Sequence, residues 1–256
     1  MIQIEKVYKT FHKGTINENP ILQGLSLSLN SGDFATIIGS NGAGKSTMLN
    51  VIAGTTPVDQ GRIQIGQHDV SKLAEHKRAH LIGRVFQDPM VGTAASLTIE
   101  ENLALAMKRG GRRNLSFGVK NQDKAFFKEQ LAQLGLNLET RLQDIIGLLS
   151  GGQRQSITLL MAALIKPQII LLDEHTAALD PKTGEAVMAI TQKIIAEHKL
   201  TALMITHNLD HAIRFGNRLI MLHKGKVALD LSGAAREKLT SQELLSQFTQ
   251  ISARDS

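Results

Sequence analysis

Three observations in the sequence predict an α/β fold in which a parallel-stranded core carries an antiparallel β layer and a helical insertion. The stretch Gly39-Ser40-Asn41-Gly42-Ala43-Gly44-Lys45-Ser46-Thr47 fits the phosphate-cradling pattern G-x-x-x-x-G-K-[ST], and it follows an apolar run, Phe34-Ala35-Thr36-Ile37-Ile38, that reads as a buried strand. Continuous apolar runs recur at Ile169-Ile170-Leu171-Leu172 and Ala202-Leu203-Met204-Ile205-Thr206, separated by helical periodicity. Strands of this kind are covered on both faces, and their alternation with helices implies a parallel sheet with right-handed crossovers. From about residue 97 to 164 the pattern is predominantly helical, so helices are inserted into the α/β frame.

In chain order, Leu25, Leu27 and Leu29 alternate with Ser26, Ser28 and Asn30, so residues 1–8 and 21–29 are expected to form a half-buried antiparallel ribbon. Gly32-Asp33 turns the chain into the strand of the phosphate loop, and the helix that follows carries Met48, Leu49 and Ile52 before Gly54 stops it. A short strand, Arg62-Ile63-Gln64-Ile65, lies between Gly61 and Gly66. The strand Ile82-Gly83-Arg84-Val85-Phe86 ends at Gln87-Asp88-Pro89, where proline cannot continue the ladder. Ile99, Leu103 and Ala106 share a helix face, residues 121–134 form a second amphipathic helix, and Ile157, Leu160, Met161 and Leu164 fit i, i+3, i+4, i+7. A helix over 183–197 carries Val187, Ile190 and Ile194; residues 218–223 and 226–230 form a closing hairpin around Gly225, followed by a short helix and a frayed end. One domain is expected over 1–256, with 1–87 and 166–230 as core and β layer, 88–165 as the helical part, and 231–256 as a C-terminal helix and tail.

The 256 residues include no cysteine, which excludes disulfides, thiol catalysis and Cys-based metal sites. No uninterrupted apolar run reaches the ~18 residues of a membrane span, because Lys166 and Pro167 break the most apolar region. The start, Met1-Ile2-Gln3-Ile4-Glu5-Lys6, is not a signal peptide, so a cytoplasmic location is expected. The net charge of +6 has one local cluster, Lys108-Arg109-Gly110-Gly111-Arg112-Arg113; it holds no aromatic to stack on a base, reads as a solvated loop, and no nucleic-acid partner is expected.

The glycines of the phosphate loop let successive N–H groups converge at a helix start, an anion hole suited to a polyphosphate. Lys45 is placed to reach the β- and γ-phosphates of a nucleoside triphosphate, the Ser46 hydroxyl to ligate Mg2+, and Thr47 to bond an α-phosphate oxygen. Asp173 ends an apolar strand where capping is its only structural role, and it is assigned to Mg2+ or its water shell. Glu174 beside it is assigned to the attacking water. In Leu149-Ser150-Gly151-Gly152-Gln153-Arg154-Gln155, Ser150 is a good N-cap and two glycines expose N–H groups at a helix start, a second anion site.

With Leu149-Ser150-Gly151-Gly152-Gln153 joined to the phosphate loop, the sequence resembles the nucleotide-binding subunits of ABC transporters from Met1 to about residue 230. The resemblance implies a P-loop NTPase core of the RecA-like type with an antiparallel β subdomain and an inserted helical subdomain. It makes 39–47 Walker A, Gln87 the Q-loop, 149–153 the signature, 169–174 Walker B, Ala178-Leu179-Asp180 the D-loop and His207 the switch histidine. Gln87 would then ligate magnesium or water and relay nucleotide state to a membrane permease, and His207 would contact the γ-phosphate. The adenine would stack on Phe11 or Tyr8, of which Phe11 has the better spacing. A head-to-tail homodimer is implied, in which Ser150 and Gly152 of one chain close on ATP held by Lys45 of the other, giving two equivalent sites.

The sequence departs from the family pattern at His175, where most members have proline; it is read as a tolerated loop residue, with a perturbed Glu174 as the alternative. The stretch 173–183 resembles PhnK-like bacterial ATPases of uptake systems with a separate permease and a binding lipoprotein, often assigned to hydrophobic or aromatic amino acids. This implies an ATPase on the inner face of the membrane that powers uptake with a separate substrate-binding protein. The rivals are an exporter ATPase and a soluble ABC ATPase of iron–sulfur assembly or C–P lyase. DNA-repair members need a long coiled-coil insertion and translation factors a second cassette, and neither is visible. The absence of a long tail after Asp230 argues against a regulatory domain.

Overall fold

The structure, a computed structural model, describes residues 1–111, 119 and 121–253. In chain order its elements are β1 (Ile2–Phe11), β2 (Asn19–Leu29), β3 (Phe34–Gly39), α1 (Lys45–Ala53), β4 (Gln60–Ile65), β5 (His68–Asp69), α2 (Glu75–Arg78) and β6 (Ile82–Val85). There follow α3 (Ile99–Met107), α4 (Asn121–Ala132), α5 (Gly151–Ala163), β7 (Ile169–Asp173) and α6 (Pro181–Glu197). The chain closes with β8 (Ala202–Ile205), α7 (Leu209–Arg214), β9 (Arg218–His223), β10 (Lys226–Ser232), α8 (Ala234–Glu237) and α9 (Ser241–Ala253). Two units arise, residues 1–78 with 201–256, and residues 79–200.

The first unit holds the expected antiparallel ribbon, widened to four strands in the order β2-β1-β4-β5. Ile2, Ile4 and Val7 of β1 face Leu29, Leu27 and Leu25 of β2, and all six are buried. The register shifts on both sides of Val7 and again between Lys9 and Thr10, and β1 runs on to Phe11, past the expected end at residue 8. The extension rests on polar bonds that no alternation reports: Asp59 accepts the Thr10 N–H at 2.7 Å and the Lys9 ammonium at 3.0 Å.

In the same unit β3 lies between β8 and β9, parallel to both, and β10 closes the edge antiparallel to β9 as the expected hairpin. Every residue of β3 is buried, in keeping with its apolar run. Ile38, Leu219 and Met221 pack with Ala212 of α7, Leu239 and Leu244 in one cluster.

In the second unit β6 and β7 pair in parallel, with Ile82 opposite Ile169 and Val85 opposite Leu172. Helix α5 packs against β6, α3 and α6. The start of α3 is a capping box, in which Thr98 accepts the Glu101 N–H while the Glu101 carboxylate takes the Thr98 N–H at 2.7 Å. The fully buried Asn102 carboxamide then fixes the preceding loop, accepting the Ala94 N–H at 2.8 Å and donating to Thr98 O at 2.9 Å.

Several expected boundaries move for local reasons. Phe86 falls outside β6 and Thr206 outside β8. Helix α6 begins at Pro181 rather than 183, because Asp180 caps it and proline occupies the first turn, where its missing N–H costs nothing. The second insertion helix, expected over 121–134, stops at Ala132. The short β5, α2, α7 and α8 are below the length at which periodicity is visible. Of the basic cluster at 108–113, Arg112 and Arg113 lie outside the described residues. Among the described residues no helix is long and apolar enough to cross a membrane.

One buried cation supports the phosphate-loop helix from behind. Arg78 is 2% exposed, and its guanidinium donates to Val51 O and Ile52 O at 2.8 Å and to Leu73 O at 2.8 Å. Two of these carbonyls belong to the last turn of α1, at the negative end of its dipole. Burial lowers the Arg78 pKa from its ordinary value, and the carbonyl set compensates the retained charge. Arg78→Met leaves those carbonyls unsatisfied and should cost about 2–4 kcal/mol. Thermal unfolding should show a Tm lower by about 5–10 °C, with Arg78→Lys recovering part of the loss.

Candidate functional site

The phosphate loop is shaped by Gly44, the N-cap of α1, which sits at φ 98° in the left-handed region. A Cβ there would be strained and would also come within 2.9 Å of Leu22 Cδ2, so glycine is required on both counts. The loop is tied from outside by the tip of the β9–β10 hairpin: the Gly225 N–H donates to Ala43 O at 3.1 Å, and Gly225 O accepts the Gln23 N–H at 3.2 Å.

Lys45 is buried, and its ammonium donates to Gly39 O at 2.8 Å and Ser40 O at 3.0 Å. The cation is thereby held across the mouth of its own loop, where phosphate oxygens are stronger acceptors than carbonyls. Asn41, Gly42 and Ser46 are exposed at the same end, Gly39 and Ala43 are buried in the loop base, and Thr47 is half-buried. The register of β8 on β3 brings His207 to this edge: Ile205 stands opposite Ile37, the Thr206 N–H donates to Ile37 O at 3.1 Å, and His207 follows, exposed.

The two aromatic candidates separate on geometry. Tyr8 stands over Gly24 of β2, so closely that a Cβ on Gly24 would lie 2.9 Å from its hydroxyl oxygen. It fills the space that glycine leaves in the strand. Phe11 ends β1 with its ring exposed and the Lys9 ammonium 5.5 Å from its centroid. Asp59 anchors this strand end; burial pushes its carboxyl up, but the Thr10 N–H and Lys9 outweigh burial and hold it below its ordinary value.

The second unit carries the other set. Asp173 ends β7, half-buried, with Arg84 Nη2 3.6 Å from Oδ2, and the Arg84 guanidinium stacks on Phe86 at 4.6 Å. Glu174 follows at φ 48°, a left-handed conformation that a residue with a Cβ rarely holds. His175 lies in the turn between β7 and α6, as expected of a loop residue, but its side chain is buried, 1% exposed with Nε2 3.0 Å from Thr191 Oγ1 of α6. Gln87 is exposed two residues beyond β6. The buried Gln155 donates to Phe86 O at 3.0 Å and so ties α5 to the segment that leads into Gln87.

Ser150 caps α5 in a full capping box, accepting the Gln153 N–H while the Gln153 carboxamide accepts the Ser150 N–H, both at 3.3 Å. The Gln153 side chain is therefore turned back into the cap. Arg154 fixes the approach by donating to Ile146 O at 3.1 Å, Gly147 O at 2.6 Å and Leu149 O at 3.0 Å. Gly151 is exposed and Gly152 buried, where a Cβ would clash with the Thr183 methyl of α6. Asp180 caps α6, accepting the Thr183 N–H at 3.1 Å, and the Thr183 side-chain and backbone bonds hold its carboxyl below the ordinary value. The signature and the D-loop are thus packed on the same end of one helix.

Sequence motifs place all the expected polar residues at strand or helix ends. They do not reveal Arg84, Asp59, Gly225, Gln155, Thr183 or Thr191, whose spacing to the motifs exists only in three dimensions.

A family model described as ABC transporter matches residues 22–177. The chain belongs to the ABC transporter family. A tyrosine transport ATP-binding protein of Clostridioides difficile (strain R20291) is 45% identical over 248 residues, 97% of this chain and 98% of that protein. The methionine import ATP-binding protein MetN of Streptococcus agalactiae serotype V is 31% identical over 94% of this chain and 68% of its own length. Among solved structures, the dimeric post-hydrolysis state of the ATP-binding cassette MJ0796 bound to ADP and Pi superposes with TM-score 0.75 at 30% identity, covering 91% of this chain and 98% of that one. The ADP conformation of the cassette MJ1267 gives TM-score 0.80 at 26% identity, with 98% of each chain covered. This ABC protein therefore has the P-loop NTPase cassette fold, binds ATP, and is an ATPase.

In this ABC ATPase, Gly152→Ala should lower ATP turnover by about tenfold or more, since a shifted site of this kind loses rate steeply. Thr183→Ala in the same chain removes the clashing methyl, and the double variant should recover most of the loss in a steady-state ATPase assay.

Proposed function

We propose that this ATPase powers uptake of a small solute, an amino acid, through a separate membrane permease on whose inner face it sits. The observation that carries the reading is the 45% identity to a tyrosine transport ATP-binding protein over nearly the full length of both chains. The methionine import relative points to the same class of cargo. A separate substrate-binding protein completes the proposed system.

The donors in each unit suit Mg2+ by their chemistry. Ser46, exposed in the first turn of α1, offers a hydroxyl; in the second unit Asp173, half-buried at the end of β7, offers a carboxylate and the exposed Gln87 a carboxamide oxygen; each is a hard oxygen donor of the kind that Mg2+ takes beside phosphate oxygens and water. Mg2+ held there would offset the charge of the phosphate groups. Lys45 exchanges its two carbonyl partners for phosphate oxygens, and the loop N–H groups of 39–47 bind the remaining charge. Glu174 accepts the proton of a water that attacks the γ-phosphorus as the bond to the β-phosphate oxygen breaks, and His207 donates to the γ-phosphate.

Two copies act together in this reading. The N–H groups at the start of α5 and the Ser150 hydroxyl of one chain meet the γ-phosphate on the other, with Gly151, Gly152 and Asp180 at the same face. Gln153 acts by holding the cap. The helical part, residues 88–165, transmits opening and closing from Gln87 to the permease.

Glu174→Gln should keep ATP binding while turnover collapses by about 10²-fold or more, and size-exclusion chromatography with ATP should show an accumulated dimer. Cells carrying this variant as their only copy should lose uptake of labelled tyrosine; unchanged uptake of every aromatic and aliphatic amino acid would remove the proposed cargo class. For the adenine, Phe11→Ala should weaken ATP binding by about tenfold in equilibrium titration. Tyr8→Ala should leave affinity within about twofold and instead lower thermal stability, because its ring covers Gly24.

A further inference from the structure

We propose that His175 is a positioning residue for hydrolysis, holding Glu174 in its left-handed backbone conformation through a buried hydrogen bond to Thr191 of α6. The inference rests on the reading of Glu174 as the carboxylate that orients the attacking water.

Glu174 sits at φ 48°, and a residue with a Cβ keeps this conformation only when its surroundings over-determine it. On the N-terminal side the chain is set by β7, which is paired to β6 up to Leu172. On the C-terminal side the turn has two backbone bonds, from the Ala177 N–H to Glu174 O at 2.9 Å and from the Leu179 N–H to Thr176 O at 3.2 Å, and Ala177 and Ala178 are exposed. The turn is anchored to the body of the unit by the side chain next to Glu174, His175, which is buried with Nε2 at Thr191 of α6.

Hydrogen-bond bookkeeping sets the direction of that contact. The Thr191 hydroxyl has one hydrogen and gives it to Val187 O at 2.8 Å. It therefore accepts from His175, and Nε2, 3.0 Å away, carries a hydrogen. Thr191 is fully buried within the 17-residue α6, whose start is capped by Asp180. The imidazole is thus pinned to a rigid element, and with it the backbone that leaves Glu174. The direction of the Glu174 Cα–Cβ bond follows from both flanks. Release of His175 lets Glu174 relax toward ordinary backbone conformations, which turns its carboxylate away from the water it must hold.

Steady-state ATPase kinetics on four single variants test this. Thr191→Val keeps the side-chain shape and removes the acceptor, and His175→Phe fills the site and removes the donor; each should lower kcat by about tenfold or more while KM and the affinity for a non-hydrolysable ATP analogue stay within about twofold. Thr191→Ser and His175→Gln retain acceptor and donor and should keep kcat within about threefold of the parent. The double variant His175→Phe/Thr191→Val should be no slower than the slower single one, as expected of two partners in one bond.

Unchanged kcat in folded Thr191→Val overturns the proposal, and so does a kcat loss matched by lost ATP affinity and a lowered Tm, which marks packing alone. Should His175→Phe fail to fold, Thr191→Val and Thr191→Ser decide the matter between them. Glu174→Gln measured alongside separates the two levels. If it turns over normally, the assignment of Glu174 fails; if it collapses while Thr191→Val does not, only the role of His175 fails.

Discussion

A lysine buried at the mouth of a loop must have acceptors, and in this protein Gly39 O and Ser40 O supply them to Lys45 at 2.8 and 3.0 Å. That pair of bonds turns the two carbonyls inward, toward the ammonium. Gly44 makes the inward turn possible, the hairpin tip at Gly225 braces it from one side, and Arg78 satisfies the far end of α1. A helix of nine residues would be marginal alone. Here both of its ends are tied by groups distant in the chain.

The second unit uses the same device. Arg154 places its guanidinium on three carbonyls that precede the signature, and the capping box at Ser150 supplies the N–H partners that follow. Helix α6 then acts as a common support. Its cap is Asp180, its first turn meets Gly152 through Thr183, and its middle holds His175 through Thr191. Three stretches assigned to nucleotide chemistry are therefore positioned by one helix, and a disturbance of α6 reaches all of them.

Much of this was legible in the sequence where chemistry and spacing coincide. The phosphate loop, the apolar strands at 34–39 and 169–173, and the capped helix after Ser150 are local patterns, and their roles follow from what a buried strand or a helix start requires. The extension of β1 to Phe11 was not legible, because Asp59 holds it from 49 residues away. That His175 lies in a turn was legible, but its burial was not, because its partner Thr191 stands 16 residues further on.

By itself the sequence determined which residues are candidates for the chemistry: a lysine and a hydroxyl in a glycine loop, two carboxylates after an apolar strand, and a serine before two glycines. These identities are set by spacing along the chain, since each motif closes on itself within one turn or one strand end. Only the tertiary structure decided how those residues are held, because the partners that hold them come from other elements. The distinction between Tyr8 and Phe11 shows the reason. Both are aromatic residues on one strand, yet Tyr8 fills the space that Gly24 of the neighbouring strand leaves, whereas Phe11 ends the strand with its ring exposed.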